Sequence, residues 1–332
     1  MKCRICGEIA SRVIGVCGKC IKKGFGNIEE VHRRTREKIG WSYRKGVVCK
    51  FCERECKIEE GKIGFCGLVR NRGGKLEKVL PWNTALGTYY FDPLPTNCVA
   101  SYVCDLCRKG EKGLNLAVFY GSCNFNCLFC QNYSYREMSI KKMPRMEVGD
   151  LEKALEMEDV KCVCFFGGDP SCNPIHSILV GRKALELGKK VCFETNGYFK
   201  RPFLKTVLNL VKESEGYFKV DFKAWNEALY KALSFSSPEP VKRCIEMAFN
   251  EKVKLVVSTL IIPGYVEEEE VEKIAEFLSS LDPSIPYILL AFHPSFLMSD
   301  LPPTSRELME RCVEVAKDKL DRVFIGNEWL LM

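Results

Sequence analysis

The chain has 332 residues, 46% hydrophobic and 28% charged, a composition that excludes disordered and collagen-like classes. Its 20 cysteines would mean a disulfide scaffold only in a short secreted chain; in one this long they read as metal ligands. Positive charge is concentrated early, with 22 Lys/Arg against 11 Asp/Glu in residues 1–110 and 28 against 32 in residues 111–332, which suits either an anionic partner or a basic surface that offsets thiolate clusters.

The first residues, Met1 to Cys6, form no apolar leader, and no segment reaches the ~18 apolar residues of a membrane span, so a cytoplasmic location is expected. Residues 1–24 pair Cys3-x2-Cys6 with Cys17-x2-Cys20, and Gly7 and Gly18 permit tight turns. Four thiolates in two such knuckles predict a closed tetrahedral site, either a zinc ribbon or a rubredoxin-like single iron. Residues 27–39 are polar and read as a connecting helix. Cys49, Cys52, Cys56 and Cys66 follow at uneven spacing in a Gly-rich run, which fits an iron–sulfur cluster better than a zinc knuckle pair. Residues 80–97, with Pro81, Pro93 and Pro95, read as an irregular wrap. Cys98, Cys104 and Cys107 form a third group that lacks a fourth ligand. The scattered Cys162, Cys164, Cys172, Cys192, Cys244 and Cys312 read as small buried hydrophobes, Cys172 least securely because it follows a probable cofactor loop.

From residue 112 the texture alternates. Apolar runs predict strands over 115–120, 160–166, 190–195, 217–222, 253–260, 286–292 and 322–325. Amphipathic stretches predict helices over 151–158, 175–188, 202–212, 238–250, 267–280 and 304–317. Six or seven β-α units point to a parallel sheet of barrel or part-barrel type, with chemistry at the C-terminal strand ends. Directly after the first of these strands comes Cys123-x3-Cys127-x2-Cys130. Three thiolates on one tight loop can hold three corners of a four-iron cluster and leave one iron open to a small molecule. The next strand ends carry Gly167-Gly168-Asp169-Pro170, Glu194-Thr195-Asn196, Asp221-Phe222-Lys223 and Phe292-His293-Pro294. One mouth ringed by polar groups is a binding-site signature.

The cluster loop from Tyr120 to Asn132 resembles that of the radical S-adenosylmethionine (SAM) superfamily, in particular the pyruvate formate-lyase activating enzyme group and its AmmeMemoRadiSam-system branch. The resemblance takes in Cys49–Cys66, Gly67-Leu68-Val69-Arg70-Asn71, Asp221–Ala224, Thr259–Gly264 and Ala291–Pro294, about residues 47–330; the N-terminal ribbon and the Cys98 group lie outside it. It implies a partial (β/α)6 TIM-type radical SAM barrel over 112–332; the cysteine spacing places before it a four-Cys zinc-ribbon or rubredoxin-like module (1–24) and a linker helix with a Cys-rich auxiliary region (25–111). It further implies that Cys123, Cys127 and Cys130 ligate a 4Fe-4S cluster and that Phe129 lies near the adenine of SAM. Gly167, Gly168 and Asp169 would receive the methionine ammonium, with Asp169 standing where the family has Glu. Glu194 (where activating enzymes have Asp), Thr195 and Asp221 would flank the SAM carboxylate and bind a monovalent cation, Asn196 would belong to the same cofactor site, and Lys223 and His293 would contact carboxylate or ribose. Reductive cleavage of SAM would then give a 5′-deoxyadenosyl radical that takes hydrogen from a substrate the sequence does not name. The cofactor does the hard chemistry, which matches the absence of a Ser-His-Asp or paired-carboxylate signature among only three histidines. Probable auxiliary clusters and a low-potential electron donor of ferredoxin or flavodoxin type complete the expectation. The rival reading is a non-catalytic zinc-binding adaptor for RNA or protein.

Overall fold

In a computed structural model, described for every residue except Asn27, Asn97 and Met332, the segment after residue 83 builds one large sheet. Its strands are β1 (Thr84–Pro93), β2 (Leu114–Tyr120), β3 (Arg145–Glu147), β4 (Val160–Gly167), β5 (Lys190–Thr195), β6 (Tyr217–Asp221), β7 (Lys254–Ile261), β8 (Tyr287–Ala291) and β9 (Val323–Gly326). Their spatial order is β9-β8-β7-β6-β5-β4-β2-β1-β3. From β2 to β9 neighbouring strands run parallel, whereas β1 is antiparallel to both β2 and β3. Among the described residues the two edges do not pair, so this is an open, partial barrel of the expected class.

Alternation along the strands sets the two faces. On β4, Val163 and Phe165 are fully buried on the helix side, and Phe165, Phe193 and Phe218 form a ladder with ring centroids 4.8 and 6.4 Å apart. Burying each such ring contributes about 1.5–3 kcal/mol. The intervening Cys162, Cys164 and Phe166 face the barrel interior with Cys192 and Lys219. The helices cover the outer face; in Arg201–Glu213 the buried Leu204, Val207, Leu208 and Val211 recur at i, i+3, i+4, i+7, one apolar stripe.

Two readings change. Residues 84–93 are a regular strand rather than part of an irregular wrap: Pro93 ends it, and seven residues pair with β2. The helices Tyr135–Lys141 and Glu227–Ser234 were not expected. The polar segment near residue 30 is a helix, Glu29–Arg36, but two of its side chains, His32 and Arg36, are fully buried.

The N-terminal ribbon sits on the loops at the C-terminal end of the sheet. The Gly18 N–H donates to Gly264 O at 2.7 Å, and a Cβ on Gly18 would lie 2.8 Å from the Tyr265 Cα. The Tyr265 hydroxyl accepts from the Ser11 N–H at 2.9 Å and donates to Val16 O at 3.0 Å. Asp300 accepts from the Ser11 hydroxyl and the Arg12 N–H, both at 2.8 Å. No helix among the described residues is long and apolar enough to cross a membrane.

Candidate active site

A cleft of about 830 Å³ opens at the C-terminal ends of β2 and β4–β6. The loop after β2 brings Cys123, Cys127 and Cys130 to one wall, and Phe129 lines it with them. Among the described residues lining the cleft there is no fourth thiol. Opposite stand Gly167, Gly168 and Asp169, then Glu194, Thr195, Asn196, Asp221 and Lys223. Nine of the ten residues expected to bind the cofactor therefore share one cleft. His293 does not line it; its side chain is exposed beyond the end of β8.

The Gly-Gly turn is required by close approach. Gly167 has φ +102°, and a Cβ on Gly168 would fall 2.1 Å from Ser122 O, inside the backbone of the cluster loop. The Gly168 N–H donates to Tyr120 O at 2.7 Å and the Asp169 N–H to Ser122 O at 2.8 Å, so the two loops are one unit. The buried Asp169 carboxylate is committed inward. It accepts from the Ser171 N–H (2.9 Å), the Ser171 hydroxyl, the Asn196 N–H (2.7 Å) and the Thr195 hydroxyl (3.0 Å). Burial pushes its pKa up to about 6 against these donors, which pull it down. Asp169 therefore shapes the loop with its side chain and can meet a ligand only through its backbone. Asn196 Nδ2 donates to Asn124 Oδ1 at 2.8 Å and lies 3.9 Å from Cys123 Sγ. Lys223 Nζ meets Asp221 Oδ2 at 2.8 Å, and the Ser258 hydroxyl donates to Asp221 Oδ1 at 2.6 Å. Burial would strip the Lys223 proton, but the adjacent Asp221 carboxylate keeps its pKa above the usual lysine value.

The donor set fits an iron–sulfur cluster. Three sulfurs, the buried Cys123 receiving the Phe125 N–H at 3.3 Å and the half-buried Cys127 and Cys130, face a cleft that has both a cation and carbonyl-bearing glycines. Burial pushes the Cys123 and Cys127 thiols up to about 12 and Cys130 up to about 11. They ionise near neutrality only with a metal. In metal-free protein the folded-state pKa of each exceeds the unfolded value of about 8.5, so the native state holds these protons more tightly. Stability is then complete below about pH 8.5 and is lost as pH rises toward 11–12, by at most about 1.4 kcal/mol per pH unit for each thiol. Urea unfolding of the metal-free protein at pH 8 to 10 should show this loss. The triple variant C123A/C127A/C130A should lose its share of the slope, and an unchanged slope would refute the assignment.

Sequence reasoning missed the cations behind the loop. Arg36 donates to Cys123 O (3.1 Å), Phe125 O (3.3 Å), the Tyr135 hydroxyl (3.0 Å) and Phe65 O. Arg54 donates to Asn124 O and Phe235 O, both at 2.9 Å, and stacks 3.4 Å over the Phe65 ring. The early excess of Lys/Arg was the available signal, and part of it is buried here rather than displayed.

All the remaining cysteines but Cys244 and Cys312 gather in three places. The sulfurs of Cys3, Cys6, Cys17 and Cys20 all lie within 4.8 Å of one another. That spread matches one tetrahedral ion, whose ~2.3 Å bonds put sulfurs roughly 3.8 Å apart. Cys49, Cys52, Cys56 and Cys66 line a single small cavity, joined by Cys172 and by Asn124 of the cluster loop. Hydrogen bonding from Cys172 holds the Cys66 thiol down to about 6 despite burial. Cys98, Cys104 and Cys107 reach a separate chamber inside the barrel.

The Radical SAM superfamily profile matches residues 117–278, from inside β2 to the helix after β7. Over these residues the chain is similar to the Radical SAM superfamily. An uncharacterized protein of Methanocaldococcus jannaschii is 26% identical over 286 residues, spanning 85% of this chain and 81% of the relative. A second protein of that organism, named provisionally as a glycyl-radical enzyme activating enzyme, is 28% identical over 63% of this chain and 80% of its own length. Among solved structures, Streptococcus suis SuiB bound to the precursor peptide SuiA superposes with a TM-score of 0.52 at 16% identity, covering 62% of this chain and 47% of SuiB. That likeness concerns the fold, and the radical SAM fold carries the cleft described above.

Proposed function

We propose that the chain cleaves SAM reductively at a 4Fe-4S cluster held by Cys123, Cys127 and Cys130, and so begins a covalent modification by hydrogen abstraction. The observation that carries this reading is a wall of three thiols, with no fourth among the described residues lining the cleft, facing polar strand ends. A cluster held by Cys123, Cys127 and Cys130 would supply the single electron that splits the SAM sulfonium, with methionine as the leaving group. The chain's own residues hold and shield. The Gly167–Gly168 turn lets backbone carbonyls reach an ammonium group, and Lys223, held by Asp221, offers its charge to a carboxylate. Phe129, buried beside them, gives an aromatic face for a purine. Thr195 and Asn196, tied to Asp169, keep the third strand end rigid.

In the same reading Cys49, Cys52, Cys56 and Cys66 hold an auxiliary cluster one residue layer from the first, since Asn124 touches both sites. The ribbon of residues 1–24 holds one zinc or iron ion and props the barrel mouth, residues 25–111 carry the auxiliary ligands and residues 112–332 the catalytic barrel. A low-potential ferredoxin or flavodoxin supplies electrons in the cytoplasm. The names of the M. jannaschii relatives point to glycyl-radical activation of a protein as the modification. Anaerobically reconstituted protein given dithionite and SAM should form 5′-deoxyadenosine and methionine. A sample fully loaded with iron and sulfide that leaves SAM intact would end the proposal.

A further inference from the structure

Beneath the SAM cleft, along the same strands, lies a second chamber of about 870 Å³ that shares only Phe166 and Glu194 with it. Its floor is the segment after β1, which plugs the N-terminal end of the barrel. The Tyr217 hydroxyl donates to Val103 O at 2.8 Å, the Tyr102 hydroxyl to Ile325 O at 2.6 Å, and Lys254 pairs with Asp105 at 3.0 Å. Cys98, Cys104 and Cys107 project from this plug into the chamber. From the strands above, Cys162, Cys164 and Cys192 project to meet them. Six thiols from two segments more than fifty residues apart thus share one interior space.

Lys219 gives the space its chemistry. It is 1% exposed, with Nζ 3.1 Å from Cys98 Sγ, 3.0 Å from Cys164 Sγ and 3.5 Å from Glu194 Oε2. A buried ammonium is stable only among anions that replace its lost hydration. Glu194 is one such anion, but it is the farthest of the three contacts, and protonated thiols supply almost no charge. A barrel core made of small apolar cysteines would exclude a lysine, not enclose one between two sulfurs. Thiolates bound to a metal cluster supply the missing negative charge.

We propose that the chamber binds an iron–sulfur cluster through Cys98, Cys104, Cys107 and, as fourth ligand, Cys164, with Lys219 as its buried countercharge. The fourth corner is assigned by elimination. Cys162 donates to Asn115 Oδ1 at 3.3 Å, and Cys192 accepts the Tyr217 N–H at 3.4 Å, whereas Cys164 has no partner but the lysine it shares with Cys98. A cluster is indicated rather than a single ion because, among the described residues, only the N-terminal ribbon brings three or more such ligand atoms within 4.8 Å of one another. Four cysteines around a wider centre suit a multi-iron core. This site does not depend on SAM chemistry at Cys123. If it is real, the wall beneath the SAM cleft is itself a redox centre.

The test uses the full chain, reconstituted without oxygen. Iron and labile sulfide should each fall by about four per chain in C98A and in C164A, while C162A and C192A keep the wild-type count. The spectroscopic change that SAM induces at the Cys123 cluster should persist in all four, which separates failure of this site from failure of the SAM reading. K219M should retain the iron but shift the chamber cluster to a more negative reduction potential, because a neighbouring cation is gone; an unchanged potential overturns the countercharge role. A full iron count in C164A overturns the ligand assignment. Should C98A or C164A fail to fold, anomalous diffraction from wild-type crystals at the iron edge decides: iron density within the chamber supports the site, and zinc or no density rejects it.

Discussion

Cys127→Ala should reduce 5′-deoxyadenosine formation to the level seen without protein. With Cys127 gone, only two sulfurs remain on the loop from Ser122 to Gln131, and no other thiol lines the cleft among the described residues to replace it. The variant should still fold. Cys127 is one contributor to a loop fixed by hydrogen bonds that do not involve its side chain, among them Asn126 N–H to Ser234 O at 2.8 Å and Leu128 N–H to Leu233 O at 2.9 Å. Iron should fall by one cluster only, since the other cysteine groups are untouched. The matched control is C312A, at a buried position on the helix Arg306–Lys317 far along the chain from the cleft. Residual cleavage in C127A at more than a small fraction of wild type would remove these three cysteines from the reaction.

Arg36→Met should cost about 3–5 kcal/mol of stability and lower the iron retained by the Cys123 loop. Methionine fills most of the volume but donates nothing. The carbonyls of Phe65 and Cys123 would then be left without their donor, and that of Phe125 with only the Tyr135 hydroxyl at 3.4 Å, in a site with no exposure at Arg36. Each unsatisfied buried carbonyl costs about 1–3 kcal/mol, and the nearby Phe65 ring loses a cation 4.1 Å from its centroid. Hydrogen exchange should speed up across residues 123–130 before the rest of the barrel. A stability loss under about 1 kcal/mol would mean that water replaces the guanidinium, and that the helix Glu29–Arg36 is the simple connector its polarity suggests.

The parallel strands β2 and β4 to β9 were legible because buried parallel strands are short apolar runs between amphipathic helices, and each falls within two residues of its expected span, whereas the short antiparallel β3 was not foreseen. Strand β1 was not legible. Four consecutive residues of it, Thr88 to Phe91, are exposed, and prolines at positions 93 and 95 mask a pairing partner that lies beyond a 20-residue excursion. The cleft was readable through strand ends that recur at the same point of each β-α unit. Arg36 was hidden because its burial depends on carbonyls supplied by two distant loops, and periodicity within the helix carries no trace of them. Cys162, Cys164 and Cys192 were rightly read as buried, yet alternation along one strand cannot tell an empty interior from one lined by a facing segment.

The docking of residues 11–18 onto residues 264–300 has a consequence for how the protein is made. The ribbon leaves the ribosome well before Gly264, Tyr265 and Asp300, which lie more than 240 residues further along the chain. Contacts this far apart in sequence close late. A nascent ribbon must therefore wait, with its thiols folded around metal or exposed to oxidation, until residues 264–300 emerge. Metal supply during translation would then govern the yield of assembled protein.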